Sequence, residues 1–149
     1  MSGLRELYQE IILDHSRAPR NSGSLADPDT SADGHNPLCG DRLTVTLHLS
    51  DQSVSDIRIQ VAGCAICAAS ASTMSEAIKG KSLEEIQLLF DAFHRVVTGE
   101  HDEEHRAALG KLAVFGGVAE FPMRVKCATL PWHTLRAAID RNEKTAKTE

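Results

Sequence analysis

Apolar and polar residues alternate along the chain with two different periods, which separate predicted strands from predicted helices. Every second residue is apolar over positions 43–49 and again over positions 57–61, the period of a strand with one buried face. The polar turn at positions 51–53 joins these runs and predicts an antiparallel hairpin. Gly63 interrupts the second strand, so the hairpin is expected to end immediately before Cys64.

Helical spacing of apolar residues precedes and follows this hairpin. A first amphipathic helix, ended by Pro19, is predicted from Leu4, Leu7, Tyr8, Ile11 and Ile12. Small apolar residues at positions 67–78 predict a closely packed helix, with Gly80 at its C-terminal cap. Ser82 and Glu85 have the spacing of a capping box that opens another helix. The apolar stripe of that helix consists of Leu83, Ile86, Leu89, Phe90, Phe93 and Val97.

The last helix is predicted to begin after Cys127, with Pro131 inside its first turn. Residues 20–37 are rich in Asn, Ser, Gly, Asp and Pro and predict a long loop, whereas residues 109–121 show no clear period. With strands first and helices after them, we expect one α+β domain over residues 1–149. It should consist of a small antiparallel sheet with helices packed on one side.

Composition and charge narrow the classes of function. The chain has 149 residues and a net charge of −5, which suits one domain and argues against a nucleic-acid partner. It has no apolar run long enough to cross a membrane and no signal-peptide stretch near the N-terminus, so we expect a cytoplasmic protein. Thiols stay reduced in the cytoplasm, and the four cysteines are therefore expected to be metal ligands or reactive thiols.

Three of the cysteines lie where predicted elements begin or end. Cys39 precedes the first strand, Cys64 follows the second, and Cys127 precedes the last helix. The hairpin should bring the first two together, and Asp41 adds a carboxylate beside them. Three thiolates and a carboxylate suit tetrahedral zinc, and thiolate-rich sites also suit iron–sulfur chemistry. Any one cysteine alone could be a buried small residue, but three at such boundaries indicate a shared site.

Four segments of the chain carry distinctive motifs, namely Asn36-Pro37-Leu38-Cys39-Gly40-Asp41, Gly63-Cys64-Ala65-Ile66-Cys67-Ala68-Ala69-Ser70 and Phe121-Pro122-Met123-Arg124-Val125-Lys126-Cys127-Ala128, with Ile11-Ile12-Leu13-Asp14-His15 near the N-terminus. Together they resemble the IscU/NifU N-terminal scaffold family, and the match covers nearly the whole chain. The resemblance implies a small α+β domain of the SufE/NifU-like kind. It also implies a protein that accepts sulfur from a cysteine desulfurase, and many such proteins assemble a cluster on their ligands.

Two features are similar to the SufU branch of this family. The interval from Cys64 to Cys127 is longer than in typical IscU chains, and Lys126 stands where the IscU type has a histidine ligand. This resemblance implies a zinc-dependent sulfurtransferase that works with a SufS-type cysteine desulfurase and passes sulfur to downstream Suf assembly proteins. It also implies that Cys39, Asp41, Cys64 and Cys127 hold Zn²⁺.

Cys67 departs from the family, which usually has a small non-thiol residue at this position. Cys64 and Cys67 form a C-x-x-C pattern that could indicate a redox pair, but such pairs are expected near a βαβ unit. A packing role in a helix of small residues is the favoured interpretation, and we expect Cys67 to be dispensable for sulfur transfer.

Other polar residues have a functional and a structural interpretation. Arg124 and Lys126 could lower the pKa of the Cys127 thiol or bind a persulfide, or could be exposed strand residues. The pair His101 and His105 has metal-binding spacing, although a solvated charged face is the favoured interpretation. His15 is expected to have a structural or docking role.

Three functions remain open at the level of sequence. The first is a zinc-dependent sulfur acceptor, the second a scaffold holding a transient [2Fe–2S] cluster on Cys39, Cys64 and Cys127, and the third a non-catalytic zinc module. Asp41 disfavours the third, because closed structural zinc sites usually use Cys and His. Cys39 is the expected sulfur acceptor because its loop can move, with Arg124 as a supporting residue.

Overall fold

The computed structural model describes residues 2–100 and 103–145, and the side chains of residues 9–100 and 103–141. Within these ranges the chain forms a three-stranded sheet and a set of helices. In chain order the elements are α1 (Ser2–Arg17), β1 (Thr30–Asn36), β2 (Asp41–Ser50), β3 (Ser53–Ala62), α2 (Ala65–Ile78), α3 (Leu83–Val97), α4 (Glu103–Leu109), a 3₁₀ helix (Gly110–Val118) and α5 (Pro122–Thr145). The predicted α+β class is confirmed.

The sheet is antiparallel, with β2 in the centre and β1 and β3 on either side. Asn36 pairs with Asp41 between β1 and β2, and Arg42 pairs with Ala62 between β2 and β3. The alternating apolar residues of β2 and β3 are buried as predicted, namely Leu43, Val45, Leu47, Ile57 and Ile59. Helix α5 packs against β1 and β2, while α2 packs against β3, α1 and α5. The three segments that carry Asp41, Cys64 and Cys127 therefore belong to one packed unit.

Strand β1 lies inside the segment that was predicted to be a long loop, and that prediction is wrong for residues 30–36. The strand contains almost no large apolar residue, so periodicity could not reveal it. It forms because tertiary contacts override local preference. Thr30 donates a hydrogen bond through its hydroxyl to the carbonyl of Ala138 at 2.7 Å, and α5 lies directly over Gly34.

Helix α5 begins earlier than predicted, which moves Cys127 from a helix boundary into the second turn of the helix. The signal was Pro122, because proline is favoured at the first helical position. Pro131 is consequently in the helix interior and not in the first turn. Since proline has no N–H, it cannot donate to the carbonyl of Cys127 four residues earlier.

Two other predicted features are confirmed in detail. The capping box is present, because the Ser82 hydroxyl accepts from the Glu85 N–H and the Glu85 carboxylate accepts from the Ser82 N–H, each at 3.0 Å. Helix α2 is lined by small buried residues, as its composition predicted. Within the described residues, we find no helix with the length and apolar character that a membrane crossing would need.

The close approach of α5 to β1 generates a prediction about Gly34. A Cβ atom at this position would collide with the hydroxyl of Thr134 and would lie 3.0 Å from Leu43. Gly34→Ala should therefore lower the free energy of unfolding by about 1–3 kcal/mol, because an overpacked contact forces the backbone to shift. Urea unfolding followed by circular dichroism measures this loss as a lower midpoint.

The matched control is Gly117→Ala. Nothing lies within 4 Å of a Cβ built on Gly117, so its effect should stay within about 0.5 kcal/mol. Equal midpoints for the two variants would contradict the close packing of α5 on β1.

Candidate metal centre

Cys39 lies in the tight turn that joins β1 to β2, and Asp41 is the first residue of β2. The N–H of Cys39 donates to the carbonyl of Asn36 at 3.2 Å, and the N–H of Leu38 donates to the Asn36 side-chain oxygen at 3.2 Å. Gly40 has a φ of +72°, a left-handed conformation that glycine adopts without strain. Cys39 thus lies in a short hairpin turn, which corrects the expectation that it ends a long loop. Its side chain is partly exposed.

Cys64 caps the N-terminus of α2, directly after β3. Its Sγ accepts a hydrogen bond from the backbone N–H of Cys67 at 3.4 Å. Its own N–H donates to Oδ1 of Asp41 at 2.9 Å, and its Sγ lies 3.9 Å from Oδ2 of the same carboxylate. The pairing of β2 with β3 therefore brings Cys64 to Asp41, as the predicted hairpin required.

Cys127 completes the group from the opposite side of the site. Its Sγ lies 3.3 Å from the Sγ of Cys39. One potential ligand atom from each of Cys39, Asp41 and Cys127 lies within 4.8 Å of the others. Together with Cys64, which contacts Asp41, these residues bring three sulfur atoms and one carboxylate to one place. All four residues of the predicted site are thus neighbours.

The electrostatics of this group suit a bound cation. The Asp41 side chain belongs to a residue with 0% exposure, and among the described residues no Lys, Arg or His forms an ion pair with it. Burying an unpaired carboxylate is costly. Burial, followed by hydrogen bonds with Asp41, Cys39 and Cys64, raises the pKa of the Cys127 thiol. A cation among the four donors would offset the cost of burying the Asp41 carboxylate and would lower the pKa of the Cys127 thiol. The donor set therefore fits zinc.

Gly63 allows Asp41 to occupy this position. A Cβ atom on Gly63 would collide with Oδ1 of Asp41 and would lie 3.0 Å from its Cα and Cγ. The sequence indicated Gly63 only as the end of a strand, and its role in making room for a carboxylate was missed. No single-sequence signal distinguishes these two uses of glycine.

Cys67 lies just outside the group, on the first turn of α2. The residue has 0% exposure, and burial raises the pKa of its thiol to about 12, with smaller contributions from the charges of Asp41, Cys64 and Cys39. Its packing role in a helix of small residues is therefore consistent with the structure. It also touches the candidate site, because its backbone N–H bonds to Cys64.

The other residues singled out in the sequence are elsewhere. Arg124 and Lys126 are exposed on α5, not on a strand, and the Arg124 guanidinium lies over the Phe121 ring at 5.6 Å. Among the described residues, no hydrogen bond joins Arg124 to a thiol. His15 is buried, and its Nδ1 lies 2.7 Å from the Ser72 hydroxyl, a structural contact between α1 and α2. His101 lies outside the described residues, so the predicted pair with His105 has no structural description.

An apolar rim near the candidate centre was not expected from the sequence. Leu38 directly precedes Cys39 and is 66% exposed, while Phe121 and Met123 are exposed on either side of Pro122 where α5 begins. We use the term apolar rim for Leu38, Phe121 and Met123. Large exposed apolar side chains indicate contact surfaces when they occur together. Periodicity could not have identified them, since none belongs to an amphipathic stripe.

The chain is similar to known proteins in both sequence and fold. The family model of the NifU-like N-terminal domain matches residues 7–128. The chain is 39% identical over 143 residues to the zinc-dependent sulfurtransferase SufU of Bacillus subtilis, covering 95% of each chain. It is 38% identical over 142 residues to the iron–sulfur cluster assembly scaffold protein IscU of Streptococcus pyogenes serotype M1, covering 95% of this chain and 88% of the relative.

A solved structure agrees with these sequence matches. The fold superposes with a TM-score of 0.81 on a candidate iron–sulfur cluster assembly scaffold protein for the SUF system from Fervidobacterium islandicum AW-1. The two are 32% identical, and the match covers 87% of this chain and 93% of the other.

The contact between Gly63 and Asp41 leads to a second prediction. Gly63→Ala should displace the Asp41 carboxylate and weaken metal binding by about 10–100-fold, the usual cost of disturbing residues that orient a ligand. Competition with a chromogenic chelator measures the affinity for Zn²⁺. Gly117→Ala, which is remote from the centre, should bind as tightly as wild type. Unchanged affinity in Gly63→Ala would show that the Asp41 carboxylate does not contribute to the metal.

Proposed function

Because the chain belongs to the family of the NifU-like N-terminal domain, we propose that it is a zinc-dependent sulfur acceptor in iron–sulfur cluster assembly. In this proposal Cys39, Asp41, Cys64 and Cys127 hold Zn²⁺, and Cys39 accepts sulfur from a SufS-type cysteine desulfurase. The sulfur then passes to downstream Suf assembly proteins. Reduced thiols are needed throughout, which agrees with a cytoplasmic location.

One observation supports the metal most strongly, namely the buried Asp41 carboxylate placed among three thiols. The carboxylate accepts one hydrogen bond from a backbone N–H, and its second oxygen faces the Cys64 sulfur. Without a cation, burial of the Asp41 carboxylate is unfavourable, and its charge disfavours the thiolate form of the neighbouring cysteines. Zinc, when bound, would keep the three thiols deprotonated at neutral pH.

Among the three thiols, Cys39 is the least restrained. Cys127 is 3% exposed and belongs to the second turn of α5, and Cys64 is tied to α2 and to Asp41 by two hydrogen bonds. Cys39 lies in a turn with partial exposure and can rotate outward without disturbing a helix.

The partly exposed Cys39 thiol is the proposed nucleophile of the transfer step. The Sγ of Cys39 attacks the outer sulfur of the desulfurase persulfide, and a new S–S bond forms on Cys39. The original S–S bond breaks, and the desulfurase cysteine leaves as a thiolate. The product is a persulfide on Cys39, with no net oxidation or reduction.

The apolar rim supports docking of a partner at the same place. Leu38 next to Cys39 gives a desulfurase an apolar contact beside the accepting thiol, and Met123, one helical turn before Cys127, offers another. Arg124, which lies against Phe121, adds a positive charge at the edge of the rim and could support a negatively charged persulfide as it arrives. In this proposal the protein transfers sulfur only when the desulfurase, which supplies the sulfur, docks beside Cys39.

A second candidate is a scaffold that assembles a [2Fe–2S] cluster on Cys39, Cys64 and Cys127. It is favoured by the similarity to IscU, which is nearly as strong as the similarity to SufU. Lys126 weighs against it, because an ammonium group offers no lone pair where the IscU type supplies a histidine. A zinc module without transfer activity is disfavoured because Cys39 is partly exposed beside an apolar rim.

The proposal is tested by locating the transferred sulfur. After incubation with a SufS-type desulfurase and cysteine, mass spectrometry should find a persulfide on Cys39. Cys39→Ser should abolish both the persulfide and the stimulation of the desulfurase. Cys67→Ser is the matched control and should retain both. The buried side chain at position 67 packs in α2 and takes no part in sulfur transfer, so a serine can replace it.

Two outcomes would contradict the assignment of Cys39. The first is sulfur found only on Cys64 or Cys127, and the second is full stimulation of the desulfurase with no persulfide on any cysteine. A stable cluster that forms without zinc would favour the scaffold.

A further inference from the structure

The four cysteines lie in one cluster that offers two candidate disulfide pairs, and only Cys67 falls outside the proposed ligands. The first pair is Cys39 and Cys127, whose sulfur atoms are 3.3 Å apart although the residues belong to different segments of the chain. The two sulfur atoms are in direct contact, and a disulfide requires them to close to about 2.05 Å.

The second pair is Cys64 and Cys67, at the start of α2. Cys64 is the N-cap residue, with an extended backbone at φ −72° and ψ 166°, and Cys67 is the third residue of the helix. The Cys64 Sγ already lies over this turn, 3.4 Å from the N–H of Cys67. Residues three apart in a helix have Cβ atoms about 5–6 Å apart, and a disulfide needs about 3.5–4.5 Å. Closing this gap requires a movement of Cys64, which precedes the first helical residue of α2 and would give up its N–H bond to Asp41.

We propose that a peroxide oxidises this protein to a form with two internal disulfides, Cys39–Cys127 and Cys64–Cys67. In each pair one thiolate attacks the peroxide, which leaves a sulfenic acid and releases hydroxide. The second thiol attacks that sulfur, and the S–O bond breaks as the S–S bond forms. Formation of each disulfide removes two electrons and two protons from the protein and reduces one hydrogen peroxide to two waters.

Cys67 determines whether the oxidised protein has an unpaired sulfur. With only three cysteines, a Cys39–Cys127 disulfide would leave Cys64 as a sulfenic acid that can proceed to the irreversible sulfinic acid or cross-link two chains. With Cys67 present, all four sulfur atoms are paired and a thiol reductant can restore them. This role explains a thiol at a position where serine or alanine would pack equally well.

The consequence for the metal rests on the proposed function, whereas the pairing of thiols does not. Disulfide sulfurs are far weaker ligands than thiolates, so the two disulfides would remove all three sulfur ligands from zinc and leave Asp41 alone. Oxidation would therefore release zinc and stop sulfur transfer, and reduction in the presence of zinc would restore both.

The test treats the zinc-loaded protein with hydrogen peroxide and follows three readouts. Intact mass should fall by the mass of four hydrogen atoms, and peptide mapping without reduction should show Cys39 joined to Cys127 and Cys64 joined to Cys67. A chromogenic chelator should detect one equivalent of released zinc per chain. Dithiothreitol should return the mass to its starting value.

Cys67→Ser supplies the matched comparison. Its mass should show one disulfide, with Cys64 either labelled by dimedone as a sulfenic acid or linked to a second chain. Cys67→Ala should behave in the same way, which separates loss of the thiol from any effect of the serine hydroxyl. Circular dichroism before oxidation verifies that both variants are folded.

The proposal is overturned if wild-type Cys64 is labelled by dimedone to the same extent as in Cys67→Ser, or if Cys64 pairs with Cys39 or Cys127. Repeating the peptide mapping on metal-stripped protein tests the disulfide pairing independently of the proposed zinc-dependent function. If both disulfides form but the purified protein never carries zinc, the pairing stands and the zinc assignment is wrong.

Discussion

The buried carboxylate of Asp41 is the constraint on which the arrangement of this molecule depends. It lies at the first position of β2, bonds to the backbone of Cys64 and is surrounded by thiols from three segments. An unpaired charge in such a place is unfavourable unless a cation accompanies it. A cation bound at this centre would therefore stabilise the fold around it.

The fold provides three separate supports for this centre. The β1–β2 turn carries Cys39, the β3–α2 junction carries Cys64, and α5 lies across the sheet so that Cys127 reaches the Cys39 sulfur. Gly34 lets α5 approach β1, and Gly63 leaves room for Asp41. Two glycines, one in β1 and one in the β3–α2 junction, thus serve one site, the first by allowing a helix to dock and the second by admitting a side chain. In the proposed transfer, Cys64 and Cys127 stay fixed while the Cys39 side chain moves.

Much of this arrangement could be predicted from the sequence, and the errors have identifiable causes. Alternation predicted β2 and β3, and a capping box predicted the start of α3, because both signals are local. Strand β1 was missed because its polar residues are held by contacts with α5 that no local pattern encodes. The start of α5 was misplaced because Pro131 was assigned to the first turn, a position that Pro122 actually fills.

The candidate site was easier to predict than its surroundings. Thiols are rare and chemically specific, so the placement of Cys39 and Cys64 at strand ends was informative, and the structure brings them together with Asp41 and Cys127 although Cys127 lies inside a helix. The exposed apolar rim and the contact of Cys67 with Cys64 depend on three-dimensional packing, which a single sequence does not display. X-ray absorption at the zinc edge, recorded on protein purified without added metal, tests the central claim most directly. We expect one zinc per chain with three sulfur neighbours and one oxygen neighbour, and the oxygen should be lost in Asp41→Cys. Four sulfur neighbours in the wild type, or no zinc at all, would contradict the account.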